Sequence, residues 1–315
     1  MRATMAKITV YTKTFNRAHM LPRAIESVLS QSFTDYEYII HDNGSTDETQ
    51  SVIQFYAKQD SRIKCIRNKE NVRGGEPDDP LYISSGENMY FTQVDDDDWI
   101  DKDEVGTLYH LAKDSGSDIV TVGSRYAFPD GSLTDKYVFD GQYTFNRVDA
   151  MYELLKREKV NSAKGGKMYR KDIMFQIDFP AIRPIRDIHR EYRVFNRISN
   201  LTVTGVPMYY FYRHNNNVSG LENKMQITPG KMNEHLLANR IRTKYLAEKM
   251  PEIADFALYS EYSFMISLTD RIRKLPVEDC FSIAEQMADT LRKNTEWLMA
   301  CGYLKPHEIE ILNTL

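Results

Sequence analysis

The segment YEYIIHDNGSTDE (residues 36–48) decides the fold. Its first six residues are mainly aromatic and β-branched, which is strand composition. Asp42-Asn43-Gly44 then signals a turn, and Ser45 with Glu48 three residues on has the spacing of a capping box, so a helix should start there. The same unit recurs on either side. Upstream, KITVYT (7–12) alternates apolar and polar residues as a strand does, and Leu21, Ile25, Val28 and Leu29 make the stripe of an amphipathic helix, with Pro22 in its first turn. Downstream, Val52, Ile53 and Tyr56 mark a helix, RIKCIR (62–67) a third strand and MYFTQV (89–94) a fourth. Strands alternating with helices at this spacing predict a parallel sheet with right-handed crossovers. Ligands of such sheets bind beyond the carboxyl ends of the strands, here residues 13–17, 41–45 and 95–98.

The third of these loops is four successive carboxylates, Asp95, Asp96, Asp97 and Asp98. In an extended backbone Asp95 and Asp97 would share one face, with Asp96 and Asp98 on the other. Two convergent carboxylates repel unless a cation lies between them or one takes up a proton. Mg2+ and Mn2+ prefer such oxygen donors and complete their shell with phosphate and water. The plain alternative is a solvated acidic turn ahead of the helix DKDEVGTLYHLA, where acids suit the N-terminal dipole. An EF-hand is excluded, since Ile100 occupies the position that requires glycine.

With 315 residues and 42% hydrophobic content, the chain can bury a large core. A net charge of −4 gives no basic field for nucleic acid. Cys65, Cys280 and Cys301 are odd in number and far apart, without metal-ligand spacing, which fits a reducing, cytoplasmic setting. The opening residues run directly into a strand without the apolar stretch of a signal peptide, and no segment approaches the length of a bilayer span. Contact with the inner face of a membrane stays open. SDIVTVG (117–123) reads as a strand, Asp130-Gly131 as a hairpin turn and TVTGVPMYYFYRH (202–214) as a late strand whose aromatic run packs in the core. Beyond residue 230 the pattern is helical, with one stripe through Leu237, Ile241 and Tyr245 and another through Ala284, Met287 and Leu291. These stripes read as core packing rather than as a dimerisation or membrane-docking surface.

VYTKTFNRAHMLPRAIESVLSQSFTDYEYIIHDNGSTDET followed by VDDDDW resembles a family 2 glycosyltransferase of the GT-A fold. The resemblance implies an α/β catalytic domain over residues 1–222 (a mostly parallel sheet flanked by helices), a helical extension over 223–315, and transfer of one sugar from a nucleotide-diphosphate sugar, with UDP the expected nucleotide. It further implies that Asp42, with Asn43 in place of a second acid, contacts the base, and that Thr14, Asn16 and Arg17 lie against the nucleotide. Asp95 and Asp96 would bind the donor, and Asp97, with Asp95, would hold Mn2+ or Mg2+. Arg73 is a candidate for the diphosphate.

An inverting transfer needs a base for the acceptor hydroxyl. The family's helix-head acidic pair is degraded here to Arg186-Asp187, with Arg193 at the family's spacing. Asp187 is therefore the first candidate base, and Glu191, one turn later on the same face, the second. His189 reads as a surface or partner residue. YFYRHNNNVSG resembles the end of the catalytic domain and places Tyr212, Arg213 and His214 near the diphosphate, with Arg213 as anion clamp. The absence of a QxxRW motif argues against a processive synthase, so the expected acceptor is a glycan on a polysaccharide, a lipid carrier or a protein. The degraded acidic pair keeps one alternative open, a non-catalytic module that binds nucleotide or glycan. Nucleotidyl transfer and dehydrogenase chemistry would need glycine-rich loops that the chain lacks after its first strand.

Overall fold

The computed structural model describes residues 7–72, 89–175, 186–214, 227–275 and 277–315. Contacts divide the chain into two compact units, Met1–Phe179 with Arg193–Asn215 and Pro180–Tyr192 with Asn216–Leu315.

The first unit is built on a sheet with strands β1 (Ile8–Thr14), β2 (Tyr36–Asp42), β3 (Ile63–Arg67), β4 (Tyr90–Gln93), β5 (Trp99–Ile100), β6 (Ile119–Ala127), β7 (Leu133–Lys136), β8 (Gln142–Asn146), β9 (Lys167–Arg170) and β10 (Asn200–Tyr212). Their order is β3-β2-β1-β4-β9-β6-β10-β5, with β7 added to β6 and β8 to β10. β1 lies parallel to both β2 and β4, and β2 to β3. β9 is antiparallel to β4 and to β6, so β6 and its parallel neighbour β10 recover the direction of β1. The carboxyl ends of β1, β2, β4, β6 and β10 therefore share one edge. That edge carries residues 13–17, 41–45 and 95–98 and the end of the aromatic strand.

β1 and β2 are buried along nearly their whole length, as parallel strands covered on both faces are. The alternation in β1 thus does not mark a solvent face. Its polar members are buried and bonded: the Thr9 hydroxyl donates to Glu37 at 3.0 Å, and Thr12 to the Val94 carbonyl at 2.8 Å. Helix α1 (Leu21–Leu29) buries Leu21, Ala24, Ile25 and Val28, as its stripe predicts. Helix α2 (Thr49–Ala57) departs from expectation, because it begins at Thr49 without a side-chain cap. Ser45 instead bonds to the neighbouring loop, so the capping-box reading is corrected. Helix α3 (Glu104–Ser115) follows the acidic run, α4 (Arg147–Lys156) is capped by Asn146, and α5 (Lys171–Phe175) follows β9. The hairpin turns at Gly131, whose φ of 82° suits glycine, with Ser132 bonded to the Asp130 carboxylate.

Helix α6 (Arg186–Phe195) crosses the boundary between the units. The second unit is helical: α7 (Pro229–Lys249), α8 (Ala254–Lys274), α9 (Phe281–Lys293), α10 (Thr295–Ala300) and α11 (Pro306–Leu312). Its core joins Ile266, Ile272, Met287, Leu291 and Leu298. The Ala284–Met287–Leu291 stripe is buried as expected. The other stripe is corrected: Leu237 is exposed, and α7 buries Met232, His235, Ala238, Asn239 and Leu246 instead. Apolar residues occur around most of that helix, so periodicity alone could not choose the buried face.

Candidate functional site

The first two loops are laced together. Thr14 pairs with Asp42 in the strand register, and the Asn43 amide donates to the Thr14 carbonyl at 2.8 Å. Asn16 is left-handed, with φ of 54°. Its amide donates to the Ser45 hydroxyl at 2.9 Å, and its side-chain oxygen accepts from the Thr46 amide at 2.8 Å. The Arg17 amide donates to the Thr49 hydroxyl at 2.9 Å. Asp42 is fully buried; one oxygen accepts the Ser45 amide at 2.8 Å and the other lies 3.4 Å from the Arg67 guanidinium. Asn43 bonds to Asn68, Asn71 and Val72. Both residues expected at the base therefore also shape this loop. Gly44, at φ of 82°, lies so close to Glu70 that a Cβ would come within 2.5 Å of its backbone.

The acidic run is a turn, not an extended segment, closed by the Asp98 amide on the Asp95 carbonyl at 3.1 Å. The expected pairing of faces is thereby corrected, because a turn breaks the two-residue alternation. Each carboxylate has a different neighbour. Asp95 accepts from the Gln93 amide group at 2.7 Å. Asp96 lies beside the Thr14 hydroxyl and 4.0 Å from the Arg17 guanidinium. An Asp97 oxygen lies 3.1 Å from Nε2 of His214. Asp98 is buried and accepts from the Tyr209 hydroxyl and the Tyr212 amide, each at 2.8 Å.

Burial raises the Asp96 pKa to about 7; the Thr14 hydroxyl and Arg17 oppose the shift, while Asp97 and Asp95 add to it. Burial likewise holds Asp98 well above the ordinary carboxylate range, reinforced by Asp95 and Asp97 and opposed by its two hydrogen bonds. The run thus lowers its own repulsion partly by favouring protonation. Among the described residues no three His, Cys, Asp or Glu side chains cluster as a metal cage. Asp97 with His214 is a two-point donor set that phosphate and water oxygens could complete.

Arg23, Tyr209 and His214 complete this constellation. The Arg23 guanidinium lies over Trp99 at 4.0 Å and Tyr212 at 4.2 Å, and donates to the Asp97 carbonyl at 2.7 Å. In the sequence Arg23 is one more polar residue of α1; only its direct bond to the acidic run distinguishes it. Arg213, the residue after Tyr212, lies instead over Tyr126 at 3.9 Å. Trp99 stacks on Tyr210 at 5.4 Å, which agrees with a packing role for the aromatic run.

Asp187 sits on helix α6, with its side chain outside the described residues, and Arg73 lies outside them altogether. Glu191 is buried. His189 is buried too and bonds to the Tyr192 hydroxyl at 3.2 Å, which corrects its reading as a surface residue. The helix presents that face inward, and its neighbour Tyr192 packs on Tyr245. No described helix is long and apolar enough to cross a membrane.

Comparison with known proteins bears on the fold and the family. The chain is 24% identical over 223 residues to glycosyltransferase GlyG of Streptococcus pneumoniae, covering 68% of this chain and 73% of GlyG. It is 34% identical over 135 residues to the GalNAc(5)-diNAcBac-PP-undecaprenol beta-1,3-glucosyltransferase of Campylobacter jejuni, covering 42% of each. The fold matches residues 1–349 of S. aureus TarS in complex with UDP-GlcNAc at a TM-score of 0.64 and 17% identity, over 98% of this chain and 90% of that one. The profile of Glycosyl transferase family 2 matches residues 9–177, more than half of the chain, and the protein belongs to that family of glycosyltransferases.

Proposed function

We propose that the chain moves one sugar from a UDP-sugar to a hydroxyl of a glycan acceptor, with inversion and with the help of Mn2+ or Mg2+. The observation that carries this reading is the acidic turn at the shared strand edge, where Asp97 and His214 lie 3.1 Å apart and Arg17 faces Asp96. Carboxylate oxygen beside imidazole fits an ion that takes the remaining ligands from a diphosphate. Asp97 and His214 would hold it, with Asp95 adjacent. The bound ion would offset the charge that develops on the departing nucleoside diphosphate.

The protein's own groups have separate tasks. Thr14, Asn16, Arg17, Asp42 and Asn43 bind the nucleoside, and Asp95 and Asp96 the donor. The Arg23 stack keeps the Asp97 main chain in place. Asp187, or Glu191 one turn later, takes the proton from the acceptor hydroxyl as its oxygen attacks the sugar carbon. Arg213 and Arg73 are assigned to the diphosphate. The binding of UDP-GlcNAc by the structurally similar TarS supports a uracil nucleotide. The acceptor is a growing glycan on a polysaccharide, a lipid carrier or a protein.

The test is thermal stability with UDP, GDP or CDP, each with and without Mn2+. A ligand that binds only the folded state raises the melting temperature by mass action, corresponding to about 2.7 kcal/mol at a hundredfold excess over Kd. UDP should stabilise most, and more with Mn2+. Asp97→Ala should abolish the Mn2+-dependent part. A larger shift with GDP or CDP would change the donor; no shift with any nucleotide would overturn the reading in favour of a module without a donor site.

A further inference from the structure

The shape of the acidic turn rests on one phenol. Tyr209 is fully buried in β10. Its hydroxyl accepts from the Asp95 amide at 3.1 Å and donates to the Asp98 carboxylate at 2.8 Å. Those are the first and last members of the run, the pair that the Asp98 amide and Asp95 carbonyl already join. A single oxygen therefore ties both ends of the turn to the sheet. The Tyr212 amide takes the second oxygen of Asp98. Once Asp98 is held this way, Asp96 and Asp97 are the members that meet Arg17 and His214.

The ring is held from its other side. A Cβ on Gly165 would lie 2.2 Å from Cζ of Tyr209, and one on Gly166 3.1 Å from its Cβ. Two successive glycines thus leave room for the phenol, and Phe211 packs on the ring with centroids 4.6 Å apart. If the hydroxyl is removed, a buried carboxylate and a main-chain amide lose the same partner together, which costs more than losing one isolated hydrogen bond.

We infer that Tyr209 is a positioning residue of the transfer reaction: its hydroxyl sets the turn that aims Asp96 and Asp97, and the Gly165-Gly166 pair sets the hydroxyl. It touches neither substrate nor ion. The functional half of this inference rests on the donor site proposed above, and the structural half stands without it.

The experiment compares Tyr209→Phe with Tyr36→Phe, which also removes a buried phenol hydroxyl, one that donates to the Val28 carbonyl at 2.6 Å away from the turn. Both variants should melt lower. Only Tyr209→Phe should speed amide hydrogen exchange in the peptide covering residues 94–99. Only Tyr209→Phe should weaken the Mn2+-dependent part of UDP affinity, by about 10-fold or more, as lost outer-sphere partners typically do. UDP affinity without metal should fall by less, since only the aim of Asp96 then matters. Unaltered exchange in Tyr209→Phe, or equal effects in Tyr36→Phe, would overturn the inference. If the wild-type protein shows no Mn2+-dependent UDP affinity, the proposed function falls and the exchange comparison still decides the role of Tyr209. If Tyr209→Phe does not fold, Gly165→Ala displaces the same ring and should give the same faster exchange; normal exchange in that variant would count against the inference.

Discussion

Burying a carboxylate is costly unless it is bonded or neutralised, and this chain does it in two ways close together. Asp98 is buried with two donors on its oxygens. Glu104, six residues later in the first turn of α3, is buried with no hydrogen-bond partner for either oxygen among the described residues. Burial pushes its pKa well above 4.5, with Asp101 adding to the shift. Below the unfolded pKa both states are protonated and Glu104 exacts no penalty from stability. As pH rises past that value the unfolded state ionises first, so stability falls until the folded pKa is reached. Glu104→Gln should therefore stabilise the protein progressively as pH rises above about 4.5 toward the raised folded pKa, read as the pH dependence of the melting-temperature difference from wild type. A constant difference would show that Glu104 ionises normally. The sequence placed Glu104 correctly at the start of a helix. Its burial was not legible, because an acid in the first turn suits the dipole whether exposed or enclosed.

At the scale of elements, β10 is crowded by other backbone at Gly205, near Gly123 of β6 and near Phe139 between β7 and β8. A Cβ on Gly123 would lie 2.4 Å from the Gly205 carbonyl oxygen, and a Cβ on Gly205 would lie 2.0 Å from the Phe139 oxygen. The pairing shifts register between Val203 and Pro207, and Gly205 sits within the shift. Backbone cannot yield as a flexible side chain can. Gly205→Ala should cost about 1–3 kcal/mol, the usual price of overpacking, measured by urea denaturation; unchanged stability would refute the close approach. Strands β1 to β4 and helix α1 were legible because pattern and composition agreed over several residues; the short β5 and β9 were not. The start of α2 was not, since Ser45 had a competing partner in Asn16, contributed by a loop 29 residues away. Local capping signals lose to such tertiary bonds.

For the whole molecule, each unit has its own apolar core. Leu291 is fully buried in the helical one. Leu291→Ala should lower stability by about 2–5 kcal/mol through the cavity it leaves. Donor affinity, measured under conditions where the variant is folded, should not change, because every residue assigned to the nucleotide belongs to the first unit. A large loss of UDP affinity would show that the helical unit contributes to that site.

The sequence alone determined the alternation of strands and helices, the edge at which three loops converge, and the family to which the acidic run belongs. These are properties of periodicity and of order along the chain. It could not distinguish the four aspartates, which are chemically identical neighbours. Tertiary structure did so by giving each a different partner: Gln93 for Asp95, Arg17 for Asp96, His214 for Asp97, Tyr209 and the Tyr212 amide for Asp98. Most of those partners lie far along the chain, on strands or the loops that follow them, brought alongside only by the sheet. A carboxylate's role depends on burial and on what faces it, and both exist only once the chain has folded.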